Sequence, residues 1–278
     1  MTMSNVYEQL KLKDNTNIAR KMLNASATTW FLTAVFGQWF FAYYIMIFYG
    51  GNAIKGDWAA WSGRMIHGII ESDIIGNIAV LIHISLAFVI SFFGPLQFIP
   101  QIRNNYPAFH RFNGRLYIIT ALVISVAAIY SIWSREVIIG GFIGQIATSL
   151  DGVLIIICAI MTVRFAMARK ISTHRRWALR LFIVVSGVWF FRVIRGFWMF
   201  VNDGSSPGTN RDLTGPFDII LNFAGYLVPL LILECYLYVR DNGKSTGQYT
   251  MAGIILVLTV ALAIGIYSAA HIFWIPSI

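Results

Sequence analysis

Two stretches of the chain place a histidine and several arginines at the start of an apolar run. The first reads HRFNGRLY from His110, and the second reads HRRWALRL from His174. The whole chain has only 5 histidines, so two near-copies that each contain one are unusual. The pairing suggests an internal duplication with a shared chemical role at one face of a membrane.

Imidazole gives these near-copies a specific chemistry. Neutral imidazole is a common axial ligand of haem iron, and it also binds copper and zinc. We therefore expect His110 and His174 to ligate one cofactor, a b-type haem or another metal centre. The neighbouring basic residues would hold the haem propionates or the headgroup of a quinone: Arg111, Arg115 and Arg175.

A second interpretation of the same residues stays open. Basic residues at a membrane surface also bind lipid phosphate and fix topology without any cofactor. Two histidines do not specify a zinc site, because zinc usually takes four ligands. Glu234 is predicted at a similar or slightly greater depth, near the inner end of its span.

Another group of ionisable residues lies deeper in the predicted membrane. His83, Asp151, Arg192 and Arg195 share a level roughly 10–15 Å below the outer edge, at a rise of about 1.5 Å per residue. Inserting one such ionisable side chain into the membrane at that depth costs at least about 2.5–3.5 kcal/mol of free energy, so these residues should face one another or a water-filled cavity. They would form either a structural ion pair of Asp151 with an arginine or a pocket for an anionic or carbonyl-bearing ligand.

The remaining histidines constrain any second cofactor. About 25 Å of helix separates His83 from the inner end of its span, so it cannot share a metal with His110. The first candidate for its partner is His271, and the second is His67. Such a second pair would permit two haems. In familiar di-haem cytochromes b, however, one helix carries two histidines, one for each haem, and no predicted span here does so.

Composition places all these residues in a membrane protein. The chain of 278 residues is 58% hydrophobic and only 12% charged, whereas a soluble domain is about 25% charged. Backbone groups in lipid must be satisfied internally, so the predicted fold class is all-α, a polytopic transmembrane bundle of about seven spans. The predicted spans are 29–50, 76–100, 115–134, 142–165, 178–202, 217–240 and 250–274.

The distribution of basic residues predicts the orientation. If the N-terminus is inside and the C-terminus outside, most lysines and arginines fall on inner segments, as the positive-inside rule requires. The net charge of +9 then reflects topology and contact with anionic lipid, and nucleic acid is not an expected partner. Residues 1–28 are predicted to be a cytoplasmic segment that could be amphipathic, and residues 29–278 a single membrane domain.

Several blocks together point to a known family. They are the span of His83 that ends in GPLQF at 94–98, the HRxxGRLY block from His110, and the HRRW block from His174. With these blocks, the chain resembles a bacterial family of predicted multi-pass membrane proteins with a domain of unknown function, over roughly residues 75–240. The resemblance implies a helical protein of the bacterial inner (plasma) membrane and no established activity.

The leading functional prediction is a membrane redox or electron-transfer protein that binds b-type haem or a quinone. One alternative is a transporter or anionic-solute-binding protein that uses Asp151, Arg192 and Arg195. Another is a non-catalytic subunit of a larger membrane complex. Expected partners are membrane lipid, a quinone or anionic small molecule, or other subunits, and whether the protein is an enzyme stays undecided.

Overall fold

The computed structural model describes residues 3–62, 73–134, 140–210 and 212–277. The described residues are almost entirely helical and contain no β-strand. This confirms the predicted all-α fold class.

Long helices account for most of the described chain. The α-helices are α1 (Met3–Tyr44), α2 (Gly51–Lys55), α3 (Ala59–Ser62), α4 (Ile74–Phe93), α5 (Pro100–Asn105), α6 (Pro107–Ser134), α7 (Gly141–Met167), α8 (Ile171–Val185), α9 (Gly187–Val201), α10 (Pro216–Asn242) and α11 (Ser245–Ala269). Two π-helical segments, Ile45–Gly50 and Ala270–Trp274, and two 3-10 turns, Pro95–Phe98 and Ile275–Ser277, complete the elements.

Six helical stretches are each long and apolar enough to cross a membrane. They are Asn17–Lys55, Ile74–Phe98, Pro107–Tyr130, Gly141–Met167, Pro216–Asn242 and Ser245–Trp274. Helices α8 and α9 pass the same test together but are bent by 55°, so the described residues contain 6 spans, or 7 if the bent pair is one. This agrees with the predicted number of about seven, whereas the orientation of the termini stays a prediction.

The first helix does not end where the cytoplasmic segment was predicted to end. Helix α1 runs without interruption through residue 28, and the candidate span within it begins at Asn17. The division into residues 1–28 and 29–278 therefore stays a prediction.

The fifth predicted span, 178–202, differs from the single straight helix that its apolar pattern indicates. It begins at Ile171 and is broken at Ser186. The Ser186 hydroxyl donates to the Phe182 carbonyl, and Gly187 follows directly. Serine and glycine pairs are among the few causes of sharp helix bends, because serine can bond the backbone and glycine restrains it least.

The break joins two halves of the bundle. Helix α8 packs on α7 in a core that includes Tyr117 and Leu181, whereas α9 packs on α11 in a core rich in aromatic rings, including Trp189. The fifth span therefore contributes to both cores: Leu181 and Val184 of α8 belong to the first, whereas Phe182 and Ile183 of α8 join the α9 residues in the second.

Proline sets the start of several helices at the site. Pro100 begins α5, Pro107 begins α6 and Pro216 begins α10. Proline is favoured at a first helical position because its missing N–H would be unpaired there and its φ is already helical. Pro107 thereby places His110 in the first turn of α6.

Candidate functional site

His110 and His174 occupy equivalent positions in the fold. Each is the fourth residue of its helix, and their backbone N–H groups donate to the carbonyls of Tyr106 and Lys170, respectively. Both side chains are half-buried, and His174 lies near enough to His110 to act on it electrostatically. We call this end of the bundle, where α6 and α8 begin and α7 ends, the basic end.

The ring of His174 is held by α7. Its Nδ1 lies 3.0 Å from the carbonyl oxygen of Thr162. A carbonyl only accepts hydrogen bonds, so Nδ1 carries the hydrogen and Nε2 of the neutral ring keeps a lone pair. Metal-bound histidines are commonly oriented by such a bond from the other ring nitrogen to a backbone carbonyl.

One face of α6 carries buried polar atoms without hydrogen-bond partners. These atoms, Nδ1 of His110, Oδ1 of Asn113 and Oη of Tyr117, follow one helical face, and Nε2 of Gln97 beside them is also unpaired. Gly114 lets Gln97 approach, since a Cβ at Gly114 would lie 3.2 Å from Gln97 Oε1. Buried polar atoms are rarely unpaired, so this α6 polar patch is a candidate for a ligand or ordered water.

Three arginines of the near-copies are available at the basic end. Arg111, Arg115 and Arg175 are exposed, and none forms an ion pair with the residues that the structure describes. A guanidinium group matches carboxylate and phosphate in geometry and charge. These side chains can therefore take an anionic group, whether a lipid phosphate or the carboxylate of a cofactor.

The other arginines of the second near-copy are used inside the protein. Arg180 makes two bonds to Glu234, from Nε to Oε1 at 2.6 Å and from Nη2 to Oε2 at 2.8 Å. The guanidinium also lies 4.7 Å from the centre of the Trp177 ring. Arg176 pairs with Asp241. These pairs tie α8 to α10 and engage both arginines.

An apolar groove of about 300 Å³ lies between α6 and α7. Arg164, near the basic end, is the one charged residue of its lining, which otherwise consists of apolar side chains: Ile118, Leu122, Ala159, Ile160, Val163 and Met167. Such a groove suits one chain of a lipid or an isoprenoid tail, with the headgroup towards the arginine.

Asp151 does not form the ion pair with Arg192 or Arg195 that one interpretation of the sequence proposed. Among the described residues it has no ion pair, and its Oδ1 is buried without a hydrogen-bond partner. Its Oδ2 would lie 3.1 Å from a Cβ on Gly187, so the carboxyl group packs directly against the break in the fifth span. Arg192 instead faces α1, where its guanidinium lies 5.5 Å from the centre of the Phe41 ring.

The break has further polar neighbours. Gln38 of α1 is only 2% exposed and donates from Nε2 to the Ser186 hydroxyl at 2.9 Å, while its Oε1 is buried without a partner. Tyr226 of α10 packs beside Gly187 and donates its hydroxyl to the Ala147 carbonyl at 3.0 Å. Helices α1, α7 and α10 therefore all meet the break.

The deeper group of ionisable residues is divided between two places. Asp151 lies at the break, whereas Arg192 lies near enough to His83 on α4 for the charge of the guanidinium to act on the imidazole ring. Arg192 donates to the Val188 carbonyl of its own helix at 3.0 Å, and Arg195 has a buried Nε without a partner. The two arginines therefore keep hydrogen-bonding capacity for a ligand.

The outer histidines are not joined by any described contact. His271 is exposed and stacks on Tyr267 with ring centres 5.4 Å apart, and no hydrogen bond or ring contact that the structure describes links it to His83. His67 lies outside the described residues. Across the described part of the chain, no group of three or more His, Cys, Asp or Glu residues could hold a metal ion. The two-histidine site at the basic end stays a prediction.

Comparison with known proteins gives the family. Residues 80–234, more than half of the chain, match the family described as "Predicted membrane protein (DUF2306)". The chain belongs to this family. No curated protein and no solved structure matches it. The DUF2306 match confirms the resemblance seen in the sequence, and the family's function is likewise unknown.

The DUF2306 match covers both polar regions of the fold. It runs from α4 to α10 and includes His110, His174 and Asp151. Gln38 on α1 and His271 near the end of α11 lie outside the matched residues. The break in the fifth span is therefore built by the family region together with α1.

Three residues of these sites were not predicted from the sequence: Gln38, Asn113 and Thr162. Gln38 is an amide within an apolar run, which is a usable signal because such a group needs a partner in lipid, whereas Asn113 lies within the basic HRFNGRLY block and carries no such signal. Thr162 contributes its backbone carbonyl to His174, so its residue type carries no such signal.

Proposed function

We propose that this DUF2306 protein is a membrane electron carrier that binds a b-type haem at the basic end, with His110 and His174 as its axial ligands. The observation that carries the proposal is the bond between His174 Nδ1 and the Thr162 carbonyl, which leaves Nε2 with a lone pair. Axial ligation of haem needs no further donors from the protein, so two histidines suffice.

The neighbouring residues fit the other needs of such a cofactor. His110 has a buried Nδ1 without a partner, so its ring is not committed to another bond at that atom. The free guanidinium groups of Arg111, Arg115 and Arg175 would hold the propionates. When bound, haem supplies one-electron exchange, and the protein residues bind and orient it.

A quinone is the electron partner that the α6 polar patch supports best. Gln97 Nε2 and Tyr117 Oη are unpaired donors, and a quinone carbonyl accepts such bonds. The apolar groove between α6 and α7 would take its isoprenoid tail, with Arg164 beside the basic end.

The proposal predicts a redox-active spectrum that depends on His174. Purified protein, produced with haem supplied during expression, should show sharp visible bands after reduction with dithionite. The variants His174→Ala and His110→Ala should each lose those bands, since each change removes one axial nitrogen. Absorbance of the oxidised and reduced protein measures this.

The control is His271→Ala, which changes an exposed histidine that stacks on Tyr267 away from the basic end. This variant should keep the spectrum of the natural protein. A featureless spectrum from haem-supplied natural protein would retire the haem proposal, and unchanged bands in His174→Ala would remove the assigned ligand.

Binding of an anionic solute is the second candidate function, favoured by the unpaired buried Nε of Arg195. Small mono- and dicarboxylates should then raise the melting temperature of the natural protein. Arg195→Ala should abolish that shift because it removes the donor, whereas Arg115→Ala, at the basic end, should keep it. Carboxylates without effect on the natural protein, or an effect that survives in Arg195→Ala, would exclude this pocket.

A further inference from the structure

Asp151 is an ionisable residue within a membrane span that has no cationic partner among the described residues. It lies about 15 Å along α7 from the helix start at Gly141. The described ion pairs engage Arg176, Arg180 and Arg240 with other carboxylates. An unpaired ionisable residue inside a membrane marks a functional site by default.

Two opposing influences act on this carboxyl group. It packs against Gly187, the first residue of the 15-residue helix α9, whose N-terminal dipole favours a negative charge. The surrounding protein and lipid withhold water, which favours the neutral acid. A carboxyl group held between such influences can exist in both protonation states.

The packing at the break suits a very small ligand. A Cβ on Gly187 would lie 3.1 Å from both Oδ2 of Asp151 and Cβ of Tyr226, so the space between α7, α9 and α10 is already filled. A hard metal cation needs several oxygen ligands around it. The Tyr226 hydroxyl is already bonded to the Ala147 carbonyl, whereas a proton needs only the carboxyl group itself.

The side chains around Asp151 come from α6, α7 and α10. Tyr226 of α10 and Cys158 of α7 both lie near enough to Asp151 for its charge to act on them. The charges of the Arg180–Glu234 pair also act on Cys158. Helix α6 presents Ile129 to the neighbouring turn of α7.

The break also carries an independent unpaired acceptor. Gln38, which is 2% exposed, binds the Ser186 hydroxyl through Nε2 and leaves Oε1 without a partner. Broken spans are a recurring way to place proton- and ion-binding sites near the middle of a membrane.

We propose that Asp151 binds and releases a proton at the break in the fifth span. This site is separate from the basic end and does not rest on the presence of a haem.

The test is infrared spectroscopy of the full chain in lipid nanodiscs over a series of pH values. At a pH at which water-exposed carboxyl groups are ionised, the natural protein should show the C=O stretching band of a protonated carboxylic acid, and the band should disappear as the pH rises further. Asp151→Asn should lack this band, and Asp151→Glu should keep one that titrates at a different pH. Asp203→Asn, which makes the same change at an exposed turn residue, should keep the band of the natural protein.

Three results would overturn the proposal. They are the absence of a titrating band in the natural protein, a band that survives in Asp151→Asn, and a midpoint that moves when sodium replaces choline in the buffer. The last result would assign the site to a metal cation that competes with the proton. The natural protein decides the first and third points even if Asp151→Asn fails to fold.

Discussion

Replacing Glu234 by glutamine should lower the free energy of unfolding by about 2–4 kcal/mol. The change leaves the Arg180 guanidinium without its counter-charge at a point about 12 Å along α10 from the helix end at Asn242. Removal of one partner of a fully buried pair costs about 3–5 kcal/mol, and we expect less because 42% of the Glu234 side chain is exposed. Unfolding by sodium dodecyl sulfate in mixed micelles measures the effect.

Arg240→Gln provides the control, because Arg240 and Asp241 form a looser pair, at 3.4 Å, near the end of the same helix. A pair of this kind is worth about 0–1 kcal/mol. The double variant Arg180→Gln/Glu234→Gln should recover part of the lost stability, since it leaves no unpaired charge. Equal losses for Glu234→Gln and Arg240→Gln would show that the Arg180–Glu234 pair has no special weight.

Replacing Gly265 by alanine should destabilise the protein by about 1–3 kcal/mol. A Cβ at Gly265 would lie 2.5 Å from the carbonyl oxygen of Val193, and backbone cannot move aside as a flexible side chain can. Gly196 makes the reciprocal approach, because its Cβ would lie 2.8 Å from the Gly265 carbonyl oxygen. Small residues at membrane helix interfaces allow such close contact, so α9 and α11 should separate.

Gly253→Ala is the matched control on the same helix, since nothing lies within 4 Å of a Cβ at that position. Its stability should stay unchanged or rise by up to about 1 kcal/mol, because alanine favours helix over glycine. The same unfolding assay compares the two variants. A loss in Gly253→Ala as large as that in Gly265→Ala would contradict the packing argument.

The two proposed sites lie on different halves of the bent span. His174 is in the first turn of α8, and Gly187, against which Asp151 packs, begins α9. Visible absorbance bands test the haem proposal, and the infrared C=O band of a carboxylic acid tests the proton proposal. Each can therefore fail while the other stands.

The sequence by itself determined the class and the broad layout of this protein. Apolar runs of span length admit only helices in lipid, so the all-α fold and the number of spans followed from composition and length. The HRxxGRLY and HRRW blocks, read from consecutive residues, were enough to indicate the family that residues 80–234 match.

Only the tertiary structure decided which polar groups meet. Depth along a helix can be counted, which placed Asp151 level with Arg192, but the direction a side chain faces depends on how neighbouring helices pack. Asp151 therefore lies at the break with Gly187, and Arg180 pairs with Glu234 of α10, which is far away in the sequence. The break itself escaped the apolar pattern because the residues directly before and after Ser186 are apolar, and its partners on α1, α7 and α10 are far apart in the chain.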